Sequence, residues 1–172
     1  MASSSSLLKK LAGGDRRSVG RSNEVVADVL KQPARFAELI HGLGSEDPLV
    51  RMRAADAAEK ISLKRPDLLT PFKPQLLRLL DEVGEQELRW HLAQMVPRLR
   101  LTQKQRFRAA SAFRRYLKDR SSIVRTSALQ GLADIAAQDE SLVPEIKTLL
   151  QYTVTSGTAA MKARSRKLLL RF

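Results

Sequence analysis

The feature that most limits how this chain can fold is a motif that returns. Val50-Arg51 is followed by Leu88-Arg89, Val124-Arg125 and Met161-Lys162, at intervals of 38, 36 and 37 residues. Three positions beyond each basic residue stand Ala54, Leu92, Ala128 and Ser165; seven beyond stand Ala58, Val96, Leu132 and Leu169; ten beyond stand Ile61, Leu99, Ile135 and Phe172. Spacings of three, seven and ten put these side chains on one face of an α-helix. A period of this length marks a structural unit that cannot bury its apolar face alone and needs neighbours stacked upon it.

Between the repeated helices lie others of the same kind. Asp47-Pro48 caps and opens the first repeated helix, which runs to about residue 64. Segments 66–83 and 85–99, 102–118 and 121–137, and 140–153 and 158–172 then form successive pairs. Ahead of them, 22–31 reads as a capping helix, and Pro33 opens a helix with Phe36, Leu39, Ile40 and Leu43 on one face. Pro74-Gln75-Leu76-Leu77 matches Pro144-Glu145-Ile146-Lys147, so a proline kink is expected at the same place in two units. No segment alternates with period two, so strands are not expected. Residues 1–21, with Ser3 to Ser6, Gly13, Gly14 and Gly20, read as a flexible basic arm. The domain organisation is therefore arm 1–21 and repeat domain 22–172, with units of about 33–64, 66–99, 102–137 and 139–172.

The resemblance is to HEAT repeats, carried by Pro74 and Pro144 in first helices, by Asp47 ahead of Val50-Arg51, and by Leu88-Arg89 and Val124-Arg125 in second helices. It covers roughly residues 33–172. It implies an all-α, right-handed superhelix (an α-solenoid, armadillo-like in its architecture) of about four HEAT-like pairs, with second helices lining a concave side. It also implies that Asp47, Arg51, Arg89, Arg125 and Lys162 belong to a structural acid–base ladder between units, with Asp47 or Glu85 as candidate acids.

At 100° per residue, Leu88, Leu92, Met95, Val96 and Leu99 share the core face of their helix, and the sole tryptophan, Trp90, points nearly opposite. In the family arrangement Met52, Trp90, Gln94, Thr126, Leu129 and Gln130 form a candidate groove for a partner segment, with Asp56 and Glu59 at one end and Arg166 and Lys167 at the other. Aromatic residues are enriched at interface hot spots, which draws attention to Trp90; the equal alternative is that it packs against the adjacent unit or the helix kinked at Pro97.

Charge suggests a second surface. The formal net charge is +13, and residues 98–125 hold ten basic groups against Asp119 alone. On the helix 102–118, Phe107, Ala110, Phe113 and Leu117 are expected inward, and Lys104, Arg108, Arg115 and Lys118 outward. With Arg98, Arg100, Arg120, Arg166 and Lys167 these are candidate phosphate contacts, because clustered cations gain from counterion release on nucleic acid. The alternative for such a stripe is a solvated helix face.

Catalytic signatures are missing. The two histidines, His41 and His91, form no metal-binding pair, and Glu87 with His91 reads as an ordinary surface pair. The glycines lack phosphate-loop spacing, and no serine sits in a nucleophile elbow. A HEAT-like DNA glycosylase would need further aromatic and acidic groups around Trp90. With no cysteine and only short apolar runs, a soluble protein of a reducing compartment, the cytoplasm, is expected; a Ser-rich basic start leaves an organelle transit peptide as the lesser reading. The expectation is a noncatalytic, cofactor-free and metal-free scaffold that binds another protein or peptide, with nucleic-acid binding as the alternative.

Overall fold

A computed structural model describes residues 6–15 and 17–172; residues 1–5 and Arg16 of the expected arm lie outside the described residues. Among those described, every regular element is helical and no strand forms. The chain divides into two units, residues 1–72 and 73–172. That boundary cuts the second expected pair, since 66–72 goes with the first unit.

The first unit holds α1 (Leu7–Leu11), α2 (Ser22–Lys31), α3 (Phe36–Gly42) and α4 (Pro48–Lys64). Asp47 caps α4 as expected, its carboxylate accepting from the Leu49 N–H at 2.8 Å, and Pro48 takes the first helical position, where no N–H is needed. Alanine makes α4 a helix that neighbours can approach closely: Ala54, Ala55, Ala57 and Ala58 are all buried. α1, α2 and α3 each pack on it.

The expected flexible arm is corrected here. Leu7 and Leu11 are fully buried, which stabilises by roughly 1.5–3 kcal/mol each. The Leu7 N–H donates to Glu38 at 3.0 Å and Lys10 pairs with Asp28 at 2.5 Å. The segment after α1 is tied down from α4. Arg53 is 2% exposed, and its guanidinium donates to the carbonyls of Leu11 (2.7 Å), Gly13 (2.6 Å), Asp15 (2.8 Å) and Ser18 (3.1 Å). A buried guanidinium keeps its charge and must find such acceptors. Here four carbonyls serve in place of a carboxylate. Gly20, at φ 54°, passes so close that a Cβ would stand 2.9 Å from the Arg53 guanidinium carbon.

The second unit holds α5 (Lys73–Glu82), α6 (Gln86–Met95), α7 (Gln103–Tyr116), α8 (Ser122–Ala136), α9 (Val143–Ser156) and α10 (Ala159–Leu169). They pack as the pairs α5/α6, α7/α8 and α9/α10, and α8 also packs against α6 and α10. Pro74 and Pro144 do not kink helix interiors as expected. Each is the second residue of its helix, after a 3₁₀ stretch, Pro66–Phe72 or Glu140–Leu142. A proline there removes no hydrogen bond and sets the helical φ, so the shared prolines mark shared starting points. Thr102 and Gln105 form a reciprocal capping box on α7, and Ser121 and Thr158 cap α8 and α10.

α7 is rotated relative to expectation. Its buried positions are Ala109, Ala110, Ala112, Phe113 and Tyr116, whereas Phe107 is 44% exposed. Phe107 lies about 120° around the helix from Phe113, so both cannot face one core. Arg106 takes the inner place, pairing with Asp139 at 2.9 Å. Close contact of α6, α7 and α8 depends on Gly131. A Cβ there would sit 2.7 Å from the Ala93 carbonyl oxygen and 2.9 Å from the Phe113 ring.

Candidate binding face of the C-terminal unit

The second helices α6, α8 and α10 adjoin one another through α8. Gln94 of α6, Thr126, Ser127 and Gln130 of α8, and Arg164 of α10 line a hollow of about 100 Å³. Three of the expected groove residues, Gln94, Thr126 and Gln130, therefore come together. The hollow is held by polar links. Arg164 donates to the Gln130 Oε1 at 2.7 Å, while the Gln130 amide donates to Asp134 at 2.9 and 3.0 Å. Asp134 also pairs with Arg171 at 2.7 Å. The Thr126 hydroxyl is turned back onto the Ser122 carbonyl at 2.7 Å.

The other groove candidates fare differently. Leu129 is fully buried and cannot line a surface; it stands next to the polar positions in sequence, but the close packing of α8 takes it into the core. Trp90 is half-buried rather than turned out, its ring 5.4 Å from that of His91. His91 is buried rather than on the surface. Met52 lies on α4 of the first unit, as do Asp56, which accepts from Ser22 at 2.5 Å and pairs with Lys60 at 2.7 Å, and buried Glu59.

One rung of the expected ladder is seen within the second unit. Arg89 donates to Asp119 at 2.6 Å and to the Val83 carbonyl at 3.0 Å, and lies over the Tyr116 ring at 5.4 Å. Its acid is Asp119, six residues ahead of Arg125, and neither Asp47 nor Glu85. Burial pushes the Asp119 carboxyl up, but the Ser121 N–H (2.8 Å) and Arg89 outweigh it and hold it below its usual value. Arg51 turns to its own preceding loop, donating to the carbonyls of Ser45 (2.6 Å) and Glu46 (3.0 Å). Lys162 is half-buried on α10. Tyr116 completes the joint by donating to the Leu80 carbonyl at 2.9 Å; burial drives its phenol well above the ordinary value.

The basic stripe is partly spent on holding helices together. Arg108 (2.8 Å) and Arg115 both pair with Asp81 of α5, and Arg114 pairs with Glu145 of α9 at 2.7 Å. Burial raises the Asp81 carboxyl, yet the two arginines bring it below its usual value. Lys104 and Lys118 are exposed, as are Arg100, Arg120, Arg166 and Lys167, while Arg98 is half-buried. Asp81, Asp119, Asp134 and Asp139 were all missed by sequence reasoning. Their signal is a carboxylate roughly one repeat from an arginine, which composition alone hides.

No group of metal-binding side chains occurs among the described residues, nor is any helix there long and apolar enough to cross a membrane. No family model matches the chain, and no curated protein does. Among solved structures, the crystal structure of an engineered protein, a Northeast Structural Genomics Consortium target, is similar at a TM-score of 0.57 and 18% identity. The match covers 95% of this chain and 76% of that one. At that identity it speaks for the all-helical fold alone.

Proposed function

We propose that this chain is a HEAT-like helical-repeat protein whose work is noncatalytic binding, with α6, α8 and α10 presenting the face that receives a segment of a partner protein. The observation that carries this is the row of unlike second helices meeting at Gln94, Thr126, Gln130 and Arg164. Such a face offers fixed amide, hydroxyl and guanidinium groups to a peptide backbone, with half-buried Trp90 as its aromatic neighbour. Packing on a rigid core keeps the ordering cost of binding low. The right-handed superhelix of four pairs is the part of this reading that rests on the repeats in the sequence.

The test is selection of peptides on the immobilised protein, followed by titration monitored through Trp90 fluorescence. The reading expects selected peptides to lose affinity in Gln94→Ala/Gln130→Ala and to keep it in Lys104→Gln/Lys118→Gln. Peptides indifferent to the first pair would overturn it. Exposed Lys104 and Lys118 favour a second reading, nucleic-acid binding. It requires affinity for an unrelated duplex that falls steeply between about 50 and 200 mM salt.

A further inference from the structure

One repeat carries an acid where the next carries a serine. Asp119 stands six residues ahead of Arg125 and receives Arg89 from the preceding repeated helix. The equivalent place one repeat later, six ahead of Lys162, is Ser156, whose hydroxyl instead donates to the Tyr152 carbonyl at 2.9 Å. Arg125, the next rung, therefore has no carboxylate waiting for it. Its Nε is buried without a hydrogen-bond partner. The acid that its charge does act on is Asp119, already held by Arg89.

The vacated place is open. A pocket of about 360 Å³ borders Arg125, within the size range of sites for small ligands. Leu117, Leu149 and Met161 give it an apolar wall, and Tyr152, 67% exposed, stands at its edge. Thr158, the N-cap of α10, lines it too, and a helix start favours negative charge nearby. We infer that this pocket binds a carboxylate carried on an apolar side group, the anion taking the ladder position that Ser156 leaves empty beside Arg125. A guanidinium half-sheltered from water recognises a carboxylate more strongly than an exposed one does. The site is separate from the proposed binding face, being lined by α7, α8, α9 and α10 at the loop that joins α9 to α10.

The experiment is an amide NMR titration of the full chain with N-acetylleucine, its uncharged amide, and the tripeptide Gly-Gly-Leu, each at millimolar concentrations. The expected result is saturable shifts at Thr153, Gly157 and Thr158 with the acids and none with the amide. Arg125→Gln should weaken binding about tenfold or more. Because that variant also disturbs the ladder, Ser156→Asp is the second probe. It supplies the missing acid, so it should abolish binding and raise the melting temperature. Tighter binding of the tripeptide would identify a chain terminus as the ligand, and equal binding a free acid. Equal response to acid and amide, or full binding by Ser156→Asp, would overturn the inference.

Discussion

Replacing Arg53 by Met should release the segment between α1 and α2 while leaving the second unit folded. The side chain makes four charge-assisted hydrogen bonds to carbonyls of Leu11, Gly13, Asp15 and Ser18. Gly13, Asp15 and Ser18 are exposed, so water can take over there, but Leu11 is buried and its carbonyl would be stranded. Stranding a buried acceptor costs about 1–3 kcal/mol. Loosening Leu11 itself adds roughly 1.5 kcal/mol or more of lost burial. A cost of about 3 kcal/mol corresponds to a fall of roughly two orders of magnitude in local protection. Hydrogen exchange reads this at the amides of Ala12, Ser18 and Gly20, each of which donates within the segment. Arg53→Lys, with one compact charge and fewer donors, should fall between. Gly20→Ala should act in the same direction, through its positive φ and the approach to Arg53. Wild-type protection at these amides in Arg53→Met would refute the claim that the carbonyl cage holds the segment.

Other expectations follow from the second unit. Gly131→Ala gains helix propensity of up to about 1 kcal/mol but collides with the Ala93 carbonyl and Phe113; overpacking by about 1–3 kcal/mol should win, and a denaturant midpoint at or above wild type would contradict it. Tyr116→Phe should cost about 1–3 kcal/mol by leaving the buried Leu80 carbonyl unpaired, measured by urea unfolding. Asp81, Asp119 and Asp139 titrate below their ordinary value when folded, the last chiefly through the Ser141 hydroxyl and Arg106. The unfolded chain therefore binds more protons in acid, so their stabilisation is complete above an unfolded carboxyl pKa of about 3.9 and is lost as pH falls through the lower folded values. Asp119→Asn should flatten that acid limb in melting curves recorded across pH; an unchanged limb would remove Asp119 from the account.

The class of fold was legible because helix pairs advertise themselves twice, by apolar spacing and by punctuation. Asp47-Pro48 marked the start of α4 correctly, and Pro74 and Pro144 marked related helices even though they open them rather than bend them. Side-chain direction was less legible. Phe107 and Leu129 are apolar residues whose fate turns on rotation of a helix by a fraction of a turn, which neighbours decide. Arg53 reads as one more cation in a basic chain; only the closeness of residues 11–18 to an Ala-rich helix makes it an anchor. Of the candidate groove, Gln94, Thr126 and Gln130 come together because polar residues opposite a strong apolar face have one place to go. The partners of the basic stripe were hidden for a simple reason. Composition counts ten cations between residues 98 and 125 but not the acids of flanking helices that reach them.

Those acids also set how the second unit should assemble in time. The ion pairs that join its helices link residues 27 to 37 apart in sequence, from Arg108 with Asp81 to Arg171 with Asp134. Arg89, Arg106, Arg114 and Arg115 fall within the same span. Each cross-link therefore closes only about one repeat of chain. Loop-closure entropy grows slowly with length, and contacts of short sequence separation favour rapid folding. Folding can begin at any of these joints and spread outward. The pairing of Arg171 with Asp134 then adds to what holds the segment after α10 against α8.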